Sequence, residues 1–252
     1  MAGTLKVGGN TIATHTGVEG AGTVTLTVTQ LNDMDVVKTN TNTDPFGDSS
    51  QIRFFNFQEG ASDVMGNDDG YLLHGANISR SPLYGLTDER AMYVDGNTYM
   101  SMTGISTNTF SVSFWVQGSN FDNNGFIGIL GNQGNGYGQI CTQPNPSRAN
   151  TPELAIYENA DFFFSQQHIL TNHTLHHLVW TASSGTDKMY LNNVDIGSSG
   201  ATVSLDPTMR IGTASTQLSN RTYAMRGYFR NIRIFNKQLS AAEVNTLYTG
   251  KL

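Results

Sequence analysis

The sequence predicts an all-β fold: two stacked antiparallel sheets with one short C-terminal helix, preceded by an extended N-terminal arm. Three observations lead there. Short runs of strand character alternate with Gly, Asn and Asp turns and have no helices between them, which fits packed antiparallel sheets rather than an α/β arrangement. Helical character is confined to residues 239–248. Residues 1–45 contain no Phe, Tyr or Trp, so that segment cannot build a core of its own. The expected division is an arm and linker over 1–45 and a globular domain over 46–252.

In the arm, Thr23 to Thr29 alternates strictly, with threonines on one face and Val24, Leu26 and Val28 on the other. This is one strand with no partner nearby, suited to pairing with another subunit or a larger assembly. Gly8-Gly9 and the glycines between 17 and 22 interrupt the arm, and the polar run from Thr39 closes at Pro45 as a linker.

Strands are expected at 51–58, 90–94, 99–102, 109–117, 125–131, 153–157, 161–165, 176–182, 188–191, 209–212 and 227–235. In the last of these, Phe229, Ile232 and Ile234 recur near period two, as a half-buried strand requires. The helix start has a sharper signal. Ser240 followed by Glu243 is a capping box, and Gly250 is placed to end the helix in a left-handed conformation.

Composition excludes several functions. Net charge is −6 with 13% charged residues, so the basic surface that nucleic acid demands is absent. The single cysteine, Cys141, cannot form an internal disulfide; it falls in a Gly/Pro-rich stretch read as a loop, and its thiol is expected to be structural. No apolar run approaches the roughly 20 residues that cross a bilayer, and the amino terminus lacks a signal-peptide core. The expectation is synthesis in the cytoplasm without signal-dependent secretion, and no membrane partner.

Gln51-Ile-Arg-Phe-Phe-Asn-Phe, then Asp63-Val-Met-Gly-Asn-Asp-Asp-Gly70 and Ala91-Met-Tyr-Val-Asp-Gly-Asn-Thr-Tyr-Met100 resemble the opening of a laminin-G-like domain of the concanavalin A-like lectin/glucanase superfamily. The resemblance continues in order through Phe110-Ser-Val-Ser-Phe-Trp-Val116, Leu175-His-His-Leu-Val-Trp-Thr181, Lys188-Met-Tyr-Leu-Asn-Asn-Val194 and the segment from Met225 to Tyr248. It implies a jelly roll of two curved antiparallel sheets, used mostly to bind carbohydrates or proteins. Family members often carry acidic residues just before the closing Arg-Ile pair, where this chain has Arg230 and Asn231.

Fold does not carry function, so each site is argued separately. The Glu-x-Asp-x-x-Glu strand pattern of the superfamily's glucanases is absent, and no enzyme activity is expected. Glu59 with Asp63 and Glu158 with Asp161 read as turn residues. His176 and His177, adjacent on a strand, point to opposite faces and make a poor zinc pair. No cofactor is called for, with one candidate exception: Asp63, Asn67 and Asp69 form an oxygen-rich loop of the kind calcium uses, although the spacing is not that of an EF-hand. A glycan site in this fold class pairs stacking aromatics with amides that read hydroxyls. Tyr137 and Asn132 in the Gly131–138 loop are the candidates, joined by Tyr157, Asn159 and Phe121.

The opening Met-Ala-Gly-Thr-Leu-Lys-Val-Gly-Gly-Asn-Thr-Ile-Ala-Thr-His-Thr-Gly looks like the amino-terminal segments of structural proteins in tailed phages. That resemblance implies a virion surface protein, oligomeric in the particle, with the arm anchored to other virion proteins and the jelly roll facing outward toward host glycans. With no heptads or repeats to build a shaft, a capsid decoration or head fibre is favoured, with a tail fibre or receptor-binding appendage as the alternative. A carbohydrate-active enzyme, or its binding module, is the alternative of a different class.

Overall fold

The computed structural model describes residues 2–7, 10–16, 44–58, 60–80, 90–103, 105, 107–122, 125–132, 138–157, 161–183, 186–200, 203–205, 207–213 and 224–250. The chain divides into two compact units, Met1–Asn42 and Thr43–Leu252. In the first, β1 (Ala2–Val7) and β2 (Asn10–Thr16) pair as an antiparallel hairpin. The strand expected around Val24, Leu26 and Val28 lies outside the described residues.

The second unit contains β3 (Gln51–Phe55), β4 (Tyr71–Leu73), β5 (Asn77–Arg80), β6 (Arg90–Asp95), β7 (Tyr99–Thr103), β8 (Phe110–Gly118), β9 (Ile127–Asn132) and β10 (Gln139–Asn145). It continues with β11 (Thr151–Tyr157), β12 (Asp161–Phe163), β13 (His176–Ser183), β14 (Thr186–Leu191), β15 (Val194–Gly197), β16 (Thr208–Ile211), β17 (Arg226–Phe235) and helix α1 (Ala241–Gly250). The larger sheet runs β15-β14-β13-β8-β17-β6-β5, with β3 also paired to β17, and the smaller runs β12-β11-β10-β9-β16-β7-β4. All of their ladders are antiparallel, as a jelly-roll sandwich requires.

The main core lies between the sheets. Val112, Phe114 and Val116 from β8, Leu178 and Trp180 from β13, and Ile140, Leu154 and Ile156 from β10 and β11 are all essentially inaccessible. Phe110 meets Trp180 edge-on, ring centroids 4.9 Å apart. Burying side chains of this size supplies about 1.5–3 kcal/mol each, which is what holds two sheets together without crosslinks.

The closing strand β17 departs from simple alternation. Its register with β8 shifts between Arg230 and Arg233, and Asn231 takes a left-handed φ of 47° at the shift. The extra residue turns Phe229, Ile232 and Ile234 all toward the core while Arg230, Arg233 and Phe235 face outward. The same bulge lets one strand serve two neighbours, β6 up to Phe229 and β3 from Ile232 onward. At the other end, Gly227 has φ 152°, and a Cβ there would lie 1.9 Å from the Gln117 carbonyl oxygen. Only glycine fits that approach.

A second, smaller cluster forms where α1 covers the outer face of the larger sheet. Val244 and Leu247 pack on Val179, Tyr190, Phe235 and Leu239, with Phe46 alongside. The capping box is present: the Ser240 amide donates to Glu243 Oε2 at 2.8 Å, and the Glu243 amide donates back to Ser240 Oγ at 3.4 Å. The helix runs through Gly250 instead of ending before it.

Several strands escape the sequence pattern. β4, β5 and β15 are three or four residues long, too short to show a period. β10 is the consequential one, because Cys141 belongs to this strand and not to a loop. Its thiol is buried and donates to the Ala155 carbonyl at 3.6 Å. Pro144 disguised the strand, yet it sits opposite Pro152 at a pair whose backbone groups point away from each other, so the two missing N–H groups cost the β10–β11 ladder no bond.

Candidate functional site

The outer face of the smaller sheet is built by β10, β11 and β12. β10 pairs with β11 from Gln139↔Tyr157 to Asn145↔Thr151. With Ile140, Leu154 and Ile156 inside, alternation sends Gln139, Cys141, Gln143, Glu153, Ala155 and Tyr157 to the outside. Phe163 of β12, opposite Ala155, shares that face. Cys141 and Ala155 are nevertheless fully buried, while Tyr157 and Phe126, just before β9, are half-buried. The rings of Phe126 and Tyr157 meet edge-on with centroids 5.8 Å apart, an aromatic ledge beside two small residues. Gln139 and Gln143 are half-buried along the same strand.

At one end of this face the polar chemistry is denser. Glu153 is 1% exposed. Its Oε2 accepts from Arg148 Nη1 at 2.7 Å and Asn145 Nδ2 at 3.3 Å, while Oε1 has no hydrogen-bond partner. Arg148 also donates through Nη2 to the carbonyls of Phe164 and Ser165, pinning the segment after β12 to the sheet. The Leu154 amide donates to the His168 carbonyl at 2.8 Å, which brings His168 beside β11. His168 Nε2 is also buried without a partner. Burial pushes the His168 pKa down, partly opposed by the Glu153 charge.

On the larger sheet, His177 Nε2 lies 2.9 Å from Ser113 Oγ. Burial lowers the His177 pKa to about 4, so the ring is neutral near pH 7. Trp115 lies over it, centroids 4.7 Å apart, and Tyr248 of α1 stacks on Trp115. This Ser-His pair is sealed under the helix. His176 faces the opposite way, its Nε2 bonded to the Thr171 backbone.

Of the residues singled out for glycan contact, Tyr157 lies on the ledge. Asn132 ends β9, paired with Met209 in the smaller sheet. Tyr137 and Asn159 lie outside the described residues. Phe121 needs correction: it is 1% exposed and belongs to the main core, its ring tucked against Gly118, where a Cβ would come within 2.5 Å. A ring so enclosed has no face to offer a sugar. Phe126, Gln139, Gln143 and Glu153 were missed. The strand over 153–157 already placed Glu153 and Tyr157 on one face, but their partner strand β10 was concealed by Pro144.

In the candidate calcium loop, Asp63 has a fully buried side chain that spends both oxygens on backbone. Oδ1 accepts from the amides of Phe54 and Met65, and Oδ2 accepts from those of Asn67 and Asp68. Arg53 Nε stands 3.8 Å from Oδ2. Asp69 Oδ1 accepts from the Asp63 amide, and Asn67 Nδ2 donates to the Ile52 carbonyl. The three residues come together as a self-bonded turn in which both Asp63 oxygens are taken up by backbone amides, while Asn67 and Asp69 are exposed. Among the described residues no three His, Cys, Asp or Glu side chains gather as metal ligands.

Comparison with known proteins is consistent with this architecture. A family model described as the concanavalin A-like lectin/glucanases superfamily (Laminin_G_3) matches residues 91–245. Among solved structures, domain 4 of AbnA, a GH43 extracellular arabinanase from Geobacillus stearothermophilus in complex with arabinotriose, is similar with a TM-score of 0.58 at 17% identity, over 79% of this chain and 98% of that one. The receptor binding domain of botulinum neurotoxin D gives a TM-score of 0.54 at 19% identity, over 80% of this chain and 53% of its own. Trypanosoma rangeli sialidase gives 0.56 at 16%, over 80% and 33%. At these identities the likeness is one of fold. No curated protein sequence matches the chain.

Proposed function

The chain belongs to the concanavalin A-like lectin/glucanases superfamily, and from that premise we propose that it is a non-enzymatic adhesion protein whose jelly roll binds glycans on the outer face of the smaller sheet. The observation that carries this reading is the Phe126–Tyr157 ledge, two half-buried rings beside Gln139 and Gln143. A sugar ring offers an apolar C–H face to an aromatic side chain and hydroxyls to amides, and this face supplies both. The Glu153 carboxylate on this face is already held by Arg148 and Asn145. Glycoside hydrolysis needs two carboxyl groups flanking the bond.

The test is calorimetric titration of the full chain with neutral linear oligosaccharides, arabinotriose first. Wild type binds; Phe126→Ala and Tyr157→Ala each weaken binding about tenfold or more. Binding unchanged in both variants would refute the ledge. Release of shorter sugars on prolonged incubation would refute the non-enzymatic reading.

The protein is further read as a virion surface component, anchored through residues 1–45, with capsid decoration or head fibre preferred over a tail appendage. The support is the phage-like amino-terminal sequence and the separate N-terminal unit with its β1–β2 hairpin. Immunogold labelling of purified particles decides between head and tail, and normal incorporation of a chain lacking residues 1–45 would overturn anchoring. A second reading, the binding module of a carbohydrate-active enzyme, is favoured by the near-complete coverage of the arabinanase domain. Absence of the protein from purified particles would select it.

A further inference from the structure

We propose that the outer face of the larger sheet carries a second glycan site, built on Tyr93 and Tyr228 and flanked by the amides of Asn77 and Gln117, which makes the chain bivalent for neutral sugars. The class of ligand rests on the glycan reading above, but none of the residues is shared with the ledge. Register puts the four in one row across β5, β6, β17 and β8: Asn77↔Tyr93, Tyr93↔Tyr228 and Tyr228↔Gln117. At about 4.8 Å between strands the row spans about 14 Å. Met92, Val94, Val116 and Phe229 sit in the main core and Ile78 packs against it, so alternation points all four residues of the row outward.

Helix α1 covers the β13–β14 side of this face and the Phe235 end of β17, whereas Tyr228 lies near the start of that strand. Asn77 is exposed, and Tyr93, Tyr228 and Gln117 are half-buried. The two tyrosine rings lean together with centroids 5.0 Å apart and planes 46° from parallel. Packing of this kind supports a sheet whatever it binds; the hydroxyls are what add recognition. Among the described residues neither phenol oxygen has a hydrogen-bond partner, and burial raises the Tyr228 pKa, which keeps its proton available to donate.

Gln117 Nε2 donates to the His173 carbonyl at 2.7 Å, which fixes the amide and leaves Oε1 to accept. The row therefore offers two rings to the C–H faces of sugars, with donors and acceptors for their hydroxyls at either end. Beside the tyrosines, exposed Asp95 and Arg226 stand directly opposite each other, so their charges offset and the patch favours a neutral ligand. This site and the ledge lie on the outer faces of two sheets stacked about 10 Å apart and point in opposite directions. One oligosaccharide cannot occupy both, so a single chain can cross-link a polysaccharide.

The test is calorimetry on the full chain with neutral arabino- and cello-oligosaccharides of two to four residues. Wild type should bind two equivalents per chain, and Tyr228→Ala and Tyr157→Ala one each. Asn77→Ala removes an exposed side chain that makes no hydrogen bond among the described residues, and should weaken one of the two sites about fivefold. Wild type should also precipitate arabinan, while either tyrosine variant leaves the mixture clear. Binding by Tyr228→Ala indistinguishable from wild type overturns the second site and leaves the ledge standing. Binding abolished in Tyr228→Ala but unchanged in Tyr157→Ala would keep this site and refute the ledge. Should Tyr228→Ala fail to fold, Asn77→Ala combined with Gln117→Ala decides, and two sites of wild-type affinity in that variant would overturn the proposal. A proline-rich peptide whose binding is lost in Tyr228→Ala, with sugar binding untouched, would show that the row holds peptide and not glycan.

Discussion

The Tyr248 ring stacks on the Trp115 indole, centroids 5.6 Å apart and planes 19° from parallel, fastening the last turn of α1 to the middle strand of the larger sheet. Beneath it, Trp115 covers His177. Tyr248→Ala removes the outermost ring of this stack. The expected cost is about 2 kcal/mol, from lost apolar burial and the aromatic contact together. Urea unfolding followed by tryptophan fluorescence checks it; a midpoint within error of wild type would mean the helix end is not held by this contact.

His177 sets a pH dependence. Its pKa is about 4 in the folded chain because burial opposes the charged form, against an ordinary value of 6.5. Between these values the unfolded chain holds more protons than the folded one, so stability rises with pH across the window and is lost as pH falls from 6.5 toward 4. The full effect is about 3 kcal/mol. His168 and His176, also lowered by burial, act with the same sign. Urea midpoints at pH 7 and pH 4.5 should differ much less in His177→Gln than in wild type. Equal slopes would reject this assignment.

Asp63 organises the turn after β3. With four backbone amides on one buried carboxylate, Asp63→Ala should cost about 3 kcal/mol and Asp63→Asn somewhat less, since one acceptor oxygen remains. Millimolar calcium should leave the wild-type thermal midpoint in place, because both oxygens are already occupied. An upward shift with calcium that disappears in Asp63→Asn would show instead that the loop opens to hold the ion.

Gly227 tests the tightest backbone approach in the larger sheet. Gly227→Ala drives a Cβ to 1.9 Å from the Gln117 carbonyl oxygen and strains a backbone conformation foreign to alanine, so a loss of more than about 3 kcal/mol is expected. Gly125→Ala, whose new Cβ meets nothing within 4 Å, is the control and should be nearly neutral. Similar midpoints for the two variants would show that β17 and β8 can separate at no cost.

The long strands of the larger sheet were legible because their side chains are one-sided or wholly apolar over seven or more residues, as in β8 and β13. The helix was legible from the spacing of Ser240 and Glu243, a local signal that needs no tertiary context. The candidate site was only half legible. Tyr157 could be placed on a strand face from the alternation of residues 153–157, but Phe126 precedes its strand and carries no periodic signal. Phe121 looked like an exposed loop aromatic because nothing in its local sequence reveals that Gly118 leaves room for its ring.

The sequence by itself determined the all-β class, the capped helix and which face of each long strand is apolar, since these follow from side-chain period and local capping. Only the tertiary structure decided what the outward residues do. Whether Glu153 is a solvated acid or a buried one held by Arg148, and whether Phe126 meets Tyr157, depends on pairing between segments far apart in the chain. That pairing is fixed by the register of β9, β10 and β11 and by the segment folded over them, and no local pattern encodes it.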